Sequence, residues 1–187
     1  TPDTIGAFPR LSDEQVEALL ERGQRRRLTE GEVLIRPGEH PASLYVVLDG
    51  HLLTADTEPA ADPRHAEEPM AVGVHGRGRF VGDVGLLEGQ PSFVFVSAVD
   101  DAEVAEIPVD ELEAIVLSDP LLGEIILRAY LIRRSLAIGA GAGLRVVGSC
   151  FSPQTRDVLD FIARNRLPHR LVDLDEDEKA ERLVRQL

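Results

Sequence analysis

Gly82-Asp83-Val84-Gly85 sets one carboxylate among glycines, directly after the apolar pair Phe80-Val81. Glycine lets a backbone come close to a ligand, and the N–H groups at the start of a helical turn hold an anion without a side-chain cation. The run "VGLLEG" (84–89) suits such a turn. A short carboxylate beside it accepts hydrogen bonds from a sugar hydroxyl. Gly82, Asp83, Val84 and Gly85 are therefore candidate ligand-binding residues, with Leu86, Pro91, Ser92 and Phe93 of the same segment as further candidates. Within that set Gly82, Val84 and Gly85 offer amides, Asp83 a carboxylate and Ser92 a hydroxyl. No cation joins them: the next arginine in the chain is Arg128.

Other chemistry is sparse. Cys150 is the single cysteine, so no internal disulfide forms, and it is a candidate redox thiol at a strand-to-helix corner. The histidines at 40, 51, 65, 75 and 169 show no metal-ligand spacing, and no metal site is expected. The acids Asp173, Asp175, Glu176, Asp177 and Glu178 read as a solvated helix start, since the glycine and closing Glu of a Ca²⁺ loop are missing.

The elements that position these residues follow from periodicity. Residues 11–23 carry a cap, Ser12, and apolar Val16, Leu19 and Leu20 at helical spacing. From 25 to 107 short apolar runs alternate with the turn pairs Glu30-Gly31, Pro37-Gly38 and Asp49-Gly50, which predicts an antiparallel barrel or sandwich. The polar, proline-rich stretch 57–69 is expected to be an exposed hairpin loop. Arginines 25–27 read as a solvated strand flank rather than a nucleic-acid patch.

Two helices follow, 109–120 and 121–139. In the second, Leu122, Ile126, Ala129 and Leu136 recur at 3–4 spacing with Arg133 interrupting, while Leu121, Ile125, Leu127, Leu131 and Ile132 cover other faces. So apolar a helix needs cover on two sides, its own barrel and a second copy or another region. A homodimer through 119–138 is expected. "GAGAG" (139–143) is a flexible joint, after which the pattern is β-α-β-α with parallel strands.

Charge excludes some functions. The net charge is −13, and residues 144–187 balance eight acids with eight bases, so the whole excess lies before them. An acidic chain gives no surface for nucleic acid or an anionic membrane. No apolar run approaches the length of a membrane span and no signal segment opens the chain, so a cytoplasmic protein is expected. The chain starts at Thr1 and stops at Leu187 within a helical pattern, as a portion of a longer protein would.

Glycine–acid–apolar–glycine–Leu-Leu, a short spacer, proline and a strand resemble the phosphate-binding cassette of cyclic-nucleotide-binding domains. The leading helix, "PGEHPASLYVVLDGHL", "AEVAEIP" and the long closing helix agree in order, so the resemblance covers roughly 8–138. It implies a mainly β fold with helices, a jelly-roll-like cyclic-nucleotide-binding β-barrel of the catabolite-activator kind. Family members that bind cAMP or cGMP place an acid, usually Glu, on the ribose hydroxyl, here Asp83. They place an arginine directly after the cassette proline on the cyclic phosphate, where this chain has Ser92.

Losing a charge-assisted hydrogen bond of about 1.5–3 kcal/mol weakens binding at least ~10- to 100-fold. Three readings stay open: a sensor of a cyclic nucleotide or other anionic small molecule, a dimerisation or docking scaffold that binds no cyclic nucleotide, and a pocket for an apolar ligand that Phe93 and Phe95 would suit. Both phenylalanines also read as core.

Residues 144–187, with Cys150-Phe151-Ser152-Pro153 at the corner, resemble the first half of a thioredoxin/glutaredoxin-like domain, giving an incomplete βαβα segment. The absence of a second cysteine leaves a monothiol role only. The combination resembles the N-terminal regulatory part of flavoproteins similar to thioredoxin-disulfide reductase, which implies FAD and NADPH only in a following region. The expected domains are 1–138, a 139–143 linker and 144–187. A Crp/Fnr-type transcription regulator is the other parent considered, although no helix-turn-helix pattern follows Ile138. A regulatory module is the expected function, and catalysis by this part of the chain, as a monothiol redox enzyme using Cys150, is the runner-up.

Overall fold

The fold is described from a computed structural model for residues 3, 6–55, 71–82, 86, 89, 91–139, 144–165 and 169–175. The chain forms two compact units, Thr1–Arg134 and Ser135–Leu187.

The first unit begins with α1 (Asp13–Leu20). Its cap is the expected Ser12, whose hydroxyl accepts from the Gln15 N–H while the Gln15 side chain accepts the Ser12 N–H. Eight strands follow: β1 (Gln24–Leu28), β2 (Val33–Ile35), β3 (Ser43–Asp49), β4 (Leu52–Ala55), β5 (Ala71–His75), β6 (Phe80–Val81), β7 (Phe95–Ala98) and β8 (Ala102–Pro108). They pair antiparallel in two four-stranded sheets, ordered β1-β8-β3-β6 and β2-β7-β4-β5. The loop expected at 57–69 lies outside the described residues.

Strand β3 is buried on both faces, which explains why "SLYVVL" is apolar without alternation. Leu44, Val46 and Leu48 join Leu19, Phe80, Ile107 and the helices α2 (Val109–Ser118) and α3 (Pro120–Gly139) in one core. Tyr45 and Val47 meet Ile35, Leu52, Val96 and Val104 in the other, between the sheets. The structure thus has the two-sheet β-roll with flanking helices that the resemblance implies.

In α3 the stripe splits. Leu122, Ile126 and Ala129 are buried in the first core, but Leu136 is exposed. Arg133 does not interrupt the buried stripe; it completes it. Its guanidinium lies 4.7 Å from the Phe80 ring and 5.2 Å from the Phe8 ring, and its Nε donates to the Ala7 carbonyl at 2.6 Å. A planar cation stacked on aromatic faces can be buried where periodicity alone expects an aliphatic residue.

Arginines 25–27 lie on β1, against acids of β8 and the β1–β2 turn. Arg25 pairs with Glu103 at 2.9 Å, and Arg26 with Glu32 at 3.1 Å and Glu106 at 3.5 Å. Their charge is spent within the sheet.

In the second unit, β9 (Leu144–Gly148), α4 (Pro153–Arg164) and β10 (His169–Asp173) form a β-α-β unit with parallel strands. Ser152 caps α4 and Pro153 occupies its first turn, where no N–H is required. Residues 140–143 and the expected last helix lie outside the described residues.

Candidate functional site

The cassette leaves β6 beside the start of β3. Gly82 has φ +95°, and a Cβ there would stand 2.9 Å from the Ser43 carbonyl oxygen. Only glycine takes that conformation so close to a neighbouring backbone. Asp83, Val84 and Gly85 lie outside the described residues, and so do the distances between the expected amide donors. Leu86 is buried in the core beneath the helices.

After the cassette, Pro91 is half-buried and Ser92 is 2 % exposed. The Ser92 N–H donates to the Glu39 carbonyl at 2.7 Å, and its carbonyl accepts the Gly38 N–H at 2.8 Å. Its hydroxyl donates to the Val94 carbonyl at 3.0 Å and accepts the Val94 N–H at 3.2 Å. The expected ligand hydroxyl is thus engaged in a local turn, and the Ser92 amide is taken by the protein. This turn also delays β7, which begins at Phe95 rather than near residue 92. Phe93 therefore precedes the strand and is half-buried, while Phe95 is buried within it, opposite Ala55. The two rings are not same-face neighbours of one strand.

Around His75, at the end of β5, the chemistry is different. The residue is 1 % exposed, and its Nε2 lies 3.0 Å from Thr54 Oγ1. Its ring is 5.4 Å from that of Phe8, and its Nδ1 has no hydrogen-bond partner among the described residues. Burial, reinforced by the positive charges of Arg133 and Arg79, pushes its pKa down to about 3. It is a neutral core histidine at neutral pH, placed by the strand pattern and not by any metal-ligand spacing.

Cys150 sits at the corner between β9 and α4, as expected. Its N–H donates to Asp173 Oδ1 at 3.3 Å, and the Asp175 N–H donates to the same oxygen at 3.0 Å. The sulfur and a carboxylate oxygen from each of Asp173 and Asp175 lie within 4.8 Å of one another. A hydrogen bond from the Cys150 side chain, with the Asp175 amide next, holds the Asp173 carboxyl below its usual range. Two carboxylates thus stand where a thiolate charge would form, opposing the help of the helix N-terminus. Sequence spacing could not reveal this, because Asp173 and Cys150 meet only through the parallel pairing of β9 and β10.

Among the described residues no helix is long and apolar enough to cross a membrane.

A profile of the cyclic nucleotide-binding domain matches residues 25–119. Curated relatives include NTE family proteins of Mycobacterium tuberculosis and Mycobacterium bovis, 28 % identical over 140 residues. That alignment takes in 74 % of this chain and 22 % of theirs, so the chain spans about a fifth of their length. In solved structures the fold is similar to the catabolite activator protein of Thermus thermophilus, with TM-score 0.56 and 22 % identity over 83 % of this chain and 63 % of that one. A transcriptional regulator of Thermotoga maritima gives TM-score 0.54 at 14 % identity, over 66 % of this chain and 92 % of the other. At these identities the likeness concerns the fold.

Proposed function

The chain belongs to the cyclic nucleotide-binding domain family, and from that premise we propose that it is the sensing module of a larger protein, taking a small anion related to a cyclic nucleotide at its cassette. The observation that carries this reading is Gly82, the first cassette residue, whose positive φ this close to the β3 backbone only glycine takes. With the Ser92 hydroxyl and amide engaged, the ligand's partners are the amides of Gly82, Val84 and Gly85 and the Asp83 carboxylate. No arginine stands directly after Pro91, so affinity for cAMP or cGMP is weak, or the ligand is less anionic than either.

The second reading is a scaffold that works by dimerising through 119–138. It is favoured by α3, where Leu121 and Leu131 are 73 % and 59 % exposed while Leu122, Ile126 and Ala129 are buried. Calorimetry with cAMP, cGMP and sulfate separates the two. Saturable heat supports sensing; silence at millimolar ligand, together with a dimer in sedimentation, leaves the scaffold.

The parent is also a proposal. The "VVGSCFSP" corner supports a thioredoxin-like segment and, through it, a flavin-dependent reductase with FAD and NADPH in a following region. The mycobacterial likeness supports a different, longer parent of the NTE family. A Crp-like regulator is supported by likeness of fold only, and the β-α-β unit after α3 is not a helix-turn-helix. A monothiol role for Cys150 requires an alkylation profile with a midpoint below the free-thiol value of about 8.5.

A further inference from the structure

A cleft of about 340 Å³ lies at the other end of β6 from the cassette, lined by Arg10, His51, Val74, Gly76, Arg77 and Arg79. Three arginines and a histidine converge there in a chain whose net charge is −13.

The convergence is built by backbone. The turn between β5 and β6 is closed by the Arg79 N–H donating to the Gly76 carbonyl at 3.1 Å. Gly78 donates its N–H to the Val47 carbonyl, and its own carbonyl accepts the Leu11 N–H, both at 2.8 Å. The second bond pins the segment carrying Arg10 onto the turn. Gly78 has φ +79°, and a Cβ there would stand 3.0 Å from both Arg10 Cγ and the Leu11 carbonyl oxygen. Any side chain at this position would push Arg10 away. Gly76 lies beside His51, whose ring Cδ2 would stand at ordinary contact distance, 3.4 Å, from a Cβ there.

The charges are unequally compensated. Arg77 donates to the Leu48 carbonyl at 3.1 Å and pairs with Asp13 at 3.1 Å. His51 Nδ1 lies 2.8 Å from Asp100, which also accepts the His51 N–H at 2.7 Å. Among the described residues neither Arg10 nor Arg79 has an acidic partner. Among the described residues, two guanidinium groups without an acidic partner line one small cleft.

We propose that this cleft is a second anion site, distinct from the cassette, and that it binds a phosphate monoester. A phosphate monoester is close to a dianion at neutral pH, matching the Arg10 and Arg79 charges, and its oxygens suit the guanidinium fork. A carboxylate would balance only one of them. Val74 supplies an apolar wall for the ester carbon, and the volume is at the small end of ligand sites.

The test is an amide-resolved NMR titration of the full chain with glycerol 3-phosphate, against sodium chloride at matched ionic strength. Saturable shifts are expected at residues 10–11, 51 and 74–79. Arg10→Gln and Arg79→Gln are each expected to raise the dissociation constant about tenfold. Arg27→Gln, on the exposed side of β1, leaves it unchanged, and melting curves establish that each variant is folded. Shifts that never saturate, that chloride reproduces, or that gather on residues 82–92 overturn the proposal. So does unchanged affinity in either Arg10→Gln or Arg79→Gln. Silence of the cassette towards cyclic nucleotides does not bear on it.

Discussion

The two ends of β6 treat charge in opposite ways. Towards the cassette, Gly82 packs on the Ser43 carbonyl and Ser92 turns its hydroxyl onto Val94, with no cation in the segment. Towards the β5–β6 turn, Gly78 makes room for Arg10 beside His51, Arg77 and Arg79. Glycine does the same physical work at both ends: it removes a Cβ where two groups must approach. One approach is to a neighbouring backbone carbonyl, the other to charged side chains. An acidic chain can therefore hold a basic cleft, because local potential depends on which residues the turns bring together and not on the sum over the chain.

The strand joining the two ends is the most sensitive point of the comparison. Phe80 is fully buried under the Arg133 guanidinium, so Phe80→Ala is expected to lose about 3–5 kcal/mol in urea unfolding. Both ends should loosen together. A loss below about 1 kcal/mol would mean that the ends do not depend on β6.

His75, at the end of β5, makes that end sensitive to acid. Its folded pKa of about 3 lies below the ordinary 6.5, so the unfolded chain binds more protons between those values. Stability is whole above pH 6.5 and falls as the pH drops towards 3, by about 2–3 kcal/mol at pH 4.5. Urea melts from pH 7 to 4 should show this limb, and His75→Gln should flatten it. An equally steep limb in the variant would move the cause elsewhere.

The smallest expected effect sharpens the contrast by giving the cassette the charge that the β5–β6 turn already holds. Ser92→Arg, directly after Pro91, is expected to raise cAMP affinity about 10- to 100-fold in calorimetry. No gain in a folded variant would indicate that the cassette amides do not face a ligand.

Much of the first unit was legible in the residues. Turn pairs at Glu30-Gly31 and Asp49-Gly50 marked real reversals, and the Ser12 cap was read directly, because these signals act within a few residues. The cassette was legible as a motif for the same reason. The hydroxyl of Ser92 was not, since its partner is chosen by a turn that also pairs with residues 38–39. Arg133 was misplaced because a helical period records only apolarity, whereas its burial depends on Phe8 and Phe80 arriving from distant parts of the chain. The Cys150–Asp173 contact depends likewise on a parallel pairing.

By itself the sequence determined the class of fold, the order of its elements and the absence of an arginine after Pro91, because composition, period and short motifs are local. Tertiary structure alone decided which charges share a cleft, which hydroxyl is engaged and which histidine is neutral. Those properties come from desolvation and proximity between segments far apart in the chain, and both exist only after the sheets and helices have packed.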